Sequence, residues 1–361
     1  MGEALALAGN ASSIHAEGRA ARATIETARD AVAALMGVKP ASVTFVSGGT
    51  EAANTLLRPE ALGARRLLVG AGEHTCVLQG HGFEDGMVER VALDRNGALD
   101  LADLETKANA DLGLRTVLAL QAVNNETGVI QPVAAAAAIM RRCGGGVVCD
   151  AVQAAGRFPL ADLARQVHAL YISAHKIGGP KGIGAFAVVS DEYPVAAALV
   201  RGGGQERGRR AGTENVAAIA GFGAAARIAA EEAETSPRAI RGLRRELETA
   251  IRGAAPDAMI FGEGAERTAN TVSFSVPGAP ASILLIALDL GGCAASSGSA
   301  CSSGKVTRSH VLAAMGISDN AAAGAIRLSL GWNSRPRDVE IFAQALTQAL
   351  SRLRGRRSLV P

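Results

Sequence analysis

Lys176 ends the run Ser173-Ala174-His175-Lys176, directly after an apolar stretch at 169–172. A lysine at the end of a buried strand can form a Schiff base when its surroundings lower its pKa. Ser173 and His175 beside it can donate hydrogen bonds to an anion. Taken alone, the run is a weak signal, and a surface lysine is the default reading. Asp150 heads Asp150-Ala151-Val152-Gln153, after the apolar residues 147–149. Open α/β sheets bind ligands outside the carboxyl ends of their strands. A carboxylate there suits a ring nitrogen that must stay protonated, although Asp150 could also just cap the next turn. Ser47-Gly48-Gly49-Thr50-Glu51 follows the apolar residues 43–46 and opens a helical pattern. Helix N-termini carry unpaired N–H groups and partial positive charge, so they suit phosphate. Gly48 and Gly49 permit close backbone approach, and the Thr50 hydroxyl can add a hydrogen bond. An ordinary N-cap and tight turn would leave the same trace.

Together the three sites are more specific than any one of them. A phosphate anchor, a pyridinium partner and an aldehyde partner, each at a strand end, are what pyridoxal phosphate needs. Two further residues stand out. Cys301 lies in Ser296-Ser297-Gly298-Ser299-Ala300-Cys301-Ser302-Ser303-Gly304. Small residues on both sides predict a mobile loop whose thiol can reach a bound substrate and be activated there; a buried structural cysteine is the alternative. Arg327 interrupts an apolar strand pattern at 325–330. It needs an anion, either a substrate carboxylate held in two-pronged fashion or a structural ion-pair partner.

These residues need a scaffold. The 361 residues exceed what one core usually serves. Apolar content of 48%, 43 glycines and 3% aromatics suit an Ala/Gly-rich α/β enzyme. Stretches 43–46, 66–69, 116–120, 147–149, 169–172 and 185–189 read as strands. Stretches 16–36, 51–57, 133–142 and 216–234 read as helices. Strands with so little alternation are buried on both faces, which predicts a mostly parallel sheet covered by helices. After about Glu232 the pattern changes. A charged helix at 238–252, a strand at 270–276, a helix at 281–289, a strand at 325–330 and a last helix at 338–353 predict a smaller α+β domain. We therefore expect a large domain over 1–232 and a small one over 233–361.

Composition also excludes classes. A formal charge of +3, from 37 basic and 34 acidic residues, gives no global case for nucleic acid. The local run Arg352, Arg354, Arg356, Arg357 reads as a solvated tail. No apolar run approaches the roughly 20 residues that span a bilayer. Residues 1–10 lack the basic start of a signal peptide. The five cysteines, Cys76, Cys143, Cys149, Cys293 and Cys301, are odd in number and lack close pair spacing. This argues against disulfides and zinc knuckles. The expectation is a reduced, cytoplasmic protein with no metal and no membrane partner.

The same segments, in the same order, resemble the cysteine desulfurases of the class V aminotransferase family. The resemblance runs from Gly9-Asn10-Ala11-Ser12-Ser13-Ile14-His15 to about Leu353. It is carried by residues 47–51, Glu73-His74, Val123-Asn124-Asn125-Glu126-Thr127-Gly128, residues 150–153 and 173–176, Arg210-Ala211-Gly212-Thr213-Glu214-Asn215, and residues 296–301. Ser-Gly-Ser-Ala before the cysteine is similar to the subgroup with a long catalytic loop, which serves iron–sulfur assembly and thio-modification. The resemblance implies a fold type I pyridoxal-phosphate transferase. Lys176 would carry the cofactor, Asp150 would pair with its ring nitrogen and His74 would stack on the ring. Gln153 and Asn125 would lie near the ring oxygen. Gly49, Thr50, Ser173 and His175 would bind the phosphate. Thr213 would reach the cofactor phosphate of a second subunit, making a homodimer with shared active sites. Arg327, with Asn125, would hold the carboxylate of L-cysteine. Cys301 would take the substrate sulfur as a persulfide, release alanine and pass the sulfur to an acceptor or scaffold protein.

Two departures accompany the resemblance. An upstream Asp-x-x-Ala-Thr-Thr-Pro-like run is absent, and Met1 falls inside the helix that follows it, so restoring that segment is expected to raise turnover. Gln205 stands where a histidine is common. Rival readings are a selenocysteine lyase, a cysteine sulfinate desulfinase, a plain aminotransferase, which has no use for Cys301, or a non-catalytic sulfur-assembly scaffold.

Overall fold

A computed structural model of the protein describes residues 1–111, 113–190, 197–235, 237–297 and 308–357. The chain divides into two compact units. The first comprises Met1–Ala92, Leu99–Val123 and Gln131–Thr235; the second comprises Leu93–Ala98, Asn124–Ile130 and Ser236–Pro361.

In the first unit, seven strands form one sheet: β1 Val43–Val46, β2 Arg66–Gly70, β3 Val88–Val91, β4 Thr116–Gln121, β5 Gly146–Asp150, β6 Ala169–Ser173 and β7 Gly184–Val188. Their spatial order is β1-β7-β6-β5-β4-β2-β3. Only β7 runs against its neighbours, β1 and β6; every other pair is parallel. The central strands are buried along their whole length, which is why their sequences are nearly continuous apolar runs. The sequence reading missed edge strand β3. Its Val88-Glu89-Arg90-Val91 is half exposed, and Glu89 forms an ion pair with Arg66 at 2.6 Å, so the apolar signal is broken. Leu101–Asn109 was also missed as a helix, although Asp100 caps it by accepting from the N–H groups of Ala102 and Asp103.

Helix Ala16–Met36 starts at His15, whose side chain accepts from the Gly18 N–H, and ends at Gly37 in the left-handed region (φ 68°). It packs on helix Val216–Thr235 so closely that a Cβ at Gly223 would lie 2.6 Å from the Ala28 Cα. The same helix delivers Arg29 to a buried ion pair. Arg29 donates to both Glu206 oxygens at 2.8 Å and to the Val43 carbonyl at 2.9 Å, and it lies over the Phe45 ring. Glu206 also accepts from the Phe45 N–H at 2.8 Å, although its backbone sits at φ 46°. This ties the 205–208 turn to the sheet's other edge strand, β1.

The second unit holds a four-stranded antiparallel sheet of β8 Met259–Ile260, β9 Thr271–Ser275, β10 Ser296–Ser297 and β11 Ile326–Ser329, in the order β10-β11-β9-β8. Helices Pro237–Ala254, Ala281–Leu290 and Pro336–Arg357 belong to this unit. Leu247, Ile251, Phe274, Leu284, Ile326 and Leu346 form its core.

Candidate active site

β1, β2, β4, β5 and β6 point the same way, so their carboxyl ends share one edge of the first sheet. The three strand-end motifs therefore meet. Helix Gly49–Leu56 begins directly after β1. A Cβ at Gly49 would lie 3.2 Å from the Val152 side chain and 3.9 Å from Ser173, so this helix start abuts the ends of β5 and β6. A Cβ at Gly184 would lie 2.8 Å from the Gly48 Cα, so the β7 backbone must also stay bare. At Gly48 itself, a Cβ would meet no atom within 4 Å. That leaves an open notch at a helix N-terminus, two residues before Thr50. Glu51 holds the notch in shape. It accepts from the Ser47 N–H at 2.8 Å and from Arg210 Nε at 3.1 Å. Burial pushes its carboxyl upward, but these partners outweigh it and leave the pKa below the usual range.

Asp150 ends β5. One carboxylate oxygen accepts from the Val152 N–H at 2.8 Å and the other from the Tyr171 hydroxyl at 3.0 Å. The side chain thus caps its own turn, and the Tyr171 bond holds its second oxygen at the strand end. Burial raises its pKa to about 6, against the pull of these hydrogen bonds and of Lys176. Lys176 sits in the short turn Ala174–Ile177 after β6, and its side chain is solvent-accessible. His175 Nδ1 lies 2.8 Å from Ser173 Oγ, and desolvation, followed by the charges of Lys176 and Lys181, lowers its pKa. His74 caps the turn Thr75–Leu78 by accepting from the Cys76 N–H at 3.2 Å. Gln153 is half-buried two residues beyond Ala151, and Thr213 is exposed on the loop that Arg210 anchors to Glu51.

Two residues of this region were given no role by the sequence reading. Glu73, 1% exposed, accepts from the Gln121 N–H at 2.7 Å. Burial and the charge of Asp150 push its carboxyl well above the usual range. Tyr171 orients Asp150 from the interior of β6. The only available signal was position: Glu73 precedes His74, and Tyr171 lies two residues before Ser173.

Asn125 and Arg327 meet within the second unit. Asn124 Oδ1 accepts from the N–H groups of Glu126 and Thr127, both at 2.9 Å, which folds 124–127 into a tight turn. Gly128 closes it at φ 75°, where a Cβ would lie 2.8 Å from Thr271. Arg327 Nη1 donates to the Asn125 carbonyl at 2.9 Å. The positive charge of Arg327 also favours the ionised form of the buried Glu126. Cys301 lies outside the described residues. Among the described residues, Cys76, Cys143, Cys149 and Cys293 are not in disulfides.

The first unit's residues fit pyridoxal phosphate on their own chemistry: an open helix-start notch for a phosphate, a buried carboxylate for a ring nitrogen, and a strand-end amine. Among the described residues, no helix is long and apolar enough to cross a membrane, and no cluster of His, Cys, Asp and Glu has metal-binding form.

The chain is similar to a cysteine desulfurase of Enterobacter agglomerans, 39% identical over 96% of this chain and 86% of that protein. It is similar to an IscS-like cysteine desulfurase of Mycobacterium tuberculosis, 35% identical over 96% of this chain and 90% of that one. Among solved structures, a NifS-like protein from Rickettsia africae superposes with a TM-score of 0.86 at 29% identity, covering 97% of this chain and 94% of that one. The family model of class-V aminotransferases matches residues 3–342. Pyridoxal phosphate is the cofactor of that family, and with nearly the whole chain matched, the protein belongs to the class-V aminotransferases.

Proposed function

We propose that the protein is a pyridoxal-phosphate-dependent cysteine desulfurase. It converts L-cysteine to L-alanine and passes the sulfur, through a persulfide on Cys301, to acceptors for iron–sulfur assembly or thio-modification. The observation that carries this reading is the meeting of Asp150 and Lys176 at one sheet edge, in a chain alike over 96% of its length to a cysteine desulfurase.

When bound, the cofactor supplies an electron sink for the substrate's α-carbon. The residues supply the rest. Gly49, Thr50, Ser173 and His175 bind the phosphate. Asp150, whose pKa burial lifts to about 6, would pair with the ring nitrogen, and a cation bound there would favour its ionised form. Lys176 carries the cofactor and then, as a free amine, moves protons at the substrate carbons. His74 would stack on the ring, and Gln153 and Asn125 would serve the ring oxygen. Arg327 holds the substrate carboxylate by a charge-assisted pair. The Cys301 thiolate attacks the substrate sulfur. An S–S bond forms, the Cβ–S bond breaks with its electron pair left on carbon, Cβ takes a proton, and alanine departs.

The working form is a cytoplasmic homodimer in which Thr213 completes the phosphate site of the partner subunit. What supports this is the exposure of Thr213 on a loop held by Arg210 and by the Arg29–Glu206 pair. Alanine and sulfide release from L-cysteine by the reconstituted protein tests the activity. Cofactor binding with no alanine formed would leave a binding scaffold and end the desulfurase reading.

A further inference from the structure

Ser309 is the second described residue after 298–307, the stretch that contains Cys301. It is 2% exposed, and its hydroxyl has two tasks. It accepts from the Leu312 N–H at 3.1 Å, capping helix His310–Ala314, and it donates to Glu126 Oε2 at 2.5 Å. On the other side of the stretch, Ser296 and Ser297 form β10, and Ser296 pairs with Arg327 across β10 and β11. Arg327 in turn donates to the carbonyl of Asn125, the neighbour of Glu126. Both chain ends that flank the Cys301 stretch therefore lead to one turn, 124–127, which Asn124 has already fixed.

Glu126 is a costly residue for this place. It is 4% exposed, and burial lifts its carboxyl to about 7 despite Ser309 and Arg327. A buried carboxylate kept only to fill space would be better replaced by an apolar side chain. The sequence motif that contains it assigns a task to Asn125 and none to Glu126.

We propose that Glu126 is a positioning residue that fixes the downstream root of the Cys301 stretch through Ser309 and shares its turn with the Arg327 anchor of the upstream root. The inference rests on the desulfurase reading. Glu126 touches no substrate; it acts through Ser309, on the chain just downstream of residues 298–307. The step it serves is sulfur transfer, not cysteine capture.

Three substitutions at Ser309 separate this role from helix capping. Ser309→Ala loses both hydrogen bonds. Ser309→Asp keeps a capping acceptor but sets a like charge against Glu126. Ser309→Thr keeps both tasks. A hydrogen bond to a buried charge supports an expected fall in kcat for alanine release of about tenfold or more in the Ala and Asp variants. KM for cysteine should stay within about twofold, because neither substitution alters Arg327. Ser309→Thr should restore kcat. Glu126→Ala combined with Ser309→Ala should be no slower than Glu126→Ala alone, and the pair should show coupling in urea unfolding. Asp behaving like wild type would reduce Ser309 to a helix cap and overturn the proposal. So would unchanged kcat in all three variants, or additive losses in the double variant. Wild-type protein that forms no alanine would end the desulfurase reading itself, and the inference with it; the Ser309 comparison is read only against an active wild type, so the two failures are distinguishable.

Discussion

The two units hold their functional groups in different ways. In the first, backbone register does the positioning. Asp150, Ser173 and the Gly49 helix start sit at the carboxyl ends of strands aligned by ladder hydrogen bonds, and side chains such as Tyr171 and Glu51 only adjust them. In the second, side chains build the site around a short turn: Asn124 accepts from the Glu126 N–H, Glu126 accepts from Ser309, and Arg327 donates to the Asn125 carbonyl. A sheet edge resists single substitutions, because no one side chain creates it. A side-chain cluster depends on each member. The first arrangement suits a cofactor that must not move, and the second suits parts whose placement serves one step.

That contrast is open to attack, starting where the effect should be largest. Lys176→Ala removes both the cofactor attachment and the proton carrier, and turnover should fall by a factor on the order of 10³ or more. Borohydride reduction of wild-type protein followed by peptide mapping should find the cofactor on Lys176, and finding it on Lys181 would refute the assignment. The fold should survive, with an unchanged far-ultraviolet spectrum, because strand register and not Lys176 holds the site.

The exception inside the first unit is the Arg29–Glu206 pair, where a side-chain device does anchor a sheet edge. Arg29→Ala leaves a buried carboxylate unpaired and should cost about 3–5 kcal/mol in urea unfolding. A loss below about 1 kcal/mol would place this edge with the register-held part of the unit.

A smaller effect concerns the second unit's charge and has a definite pH sign. Glu126 has a raised pKa, about 7 against a usual 4.5. Between these values the native state holds more protons than the unfolded chain, so its contribution to stability is full at low pH and is lost as pH rises. Glu126→Gln should therefore match wild type near pH 4.5 and exceed it by on the order of 1–3 kcal/mol above pH 7. Thermal unfolding of both proteins across this range tests it, and a variant less stable at pH 8 would reverse the sign.

How much was legible in the sequence follows the same division. Val43–Val46, Arg66–Gly70 and Ala169–Ser173 announced themselves because strands buried on both faces must be apolar throughout. With the strands located, Lys176, Asp150 and Thr50 could be read as strand-end residues. The second unit gave less. Glu126 looks like any loop glutamate, and its partner Ser309 lies far along the chain. No local period links residues brought together by a turn and a helix cap. Arg327 was visible only because a charge in an apolar strand is conspicuous, and the Asn125 carbonyl could not be foreseen as its partner. The Arg29–Glu206 pair was hidden for the same reason, since a buried arginine on a helix reads as an exposed one until its partner is known.

The central claim is that sulfur leaves L-cysteine for Cys301. The direct measurement is mass spectrometry of the cofactor-loaded protein after brief exposure to L-cysteine, with alkylation to trap persulfides and peptide mapping to locate them. The account predicts one added sulfur on the peptide containing Cys301. It also predicts that Cys301→Ala retains the cofactor but forms neither alanine nor a trapped persulfide. Added sulfur on Cys76 or Cys293, with Cys301→Ala releasing alanine at the wild-type rate, would contradict it.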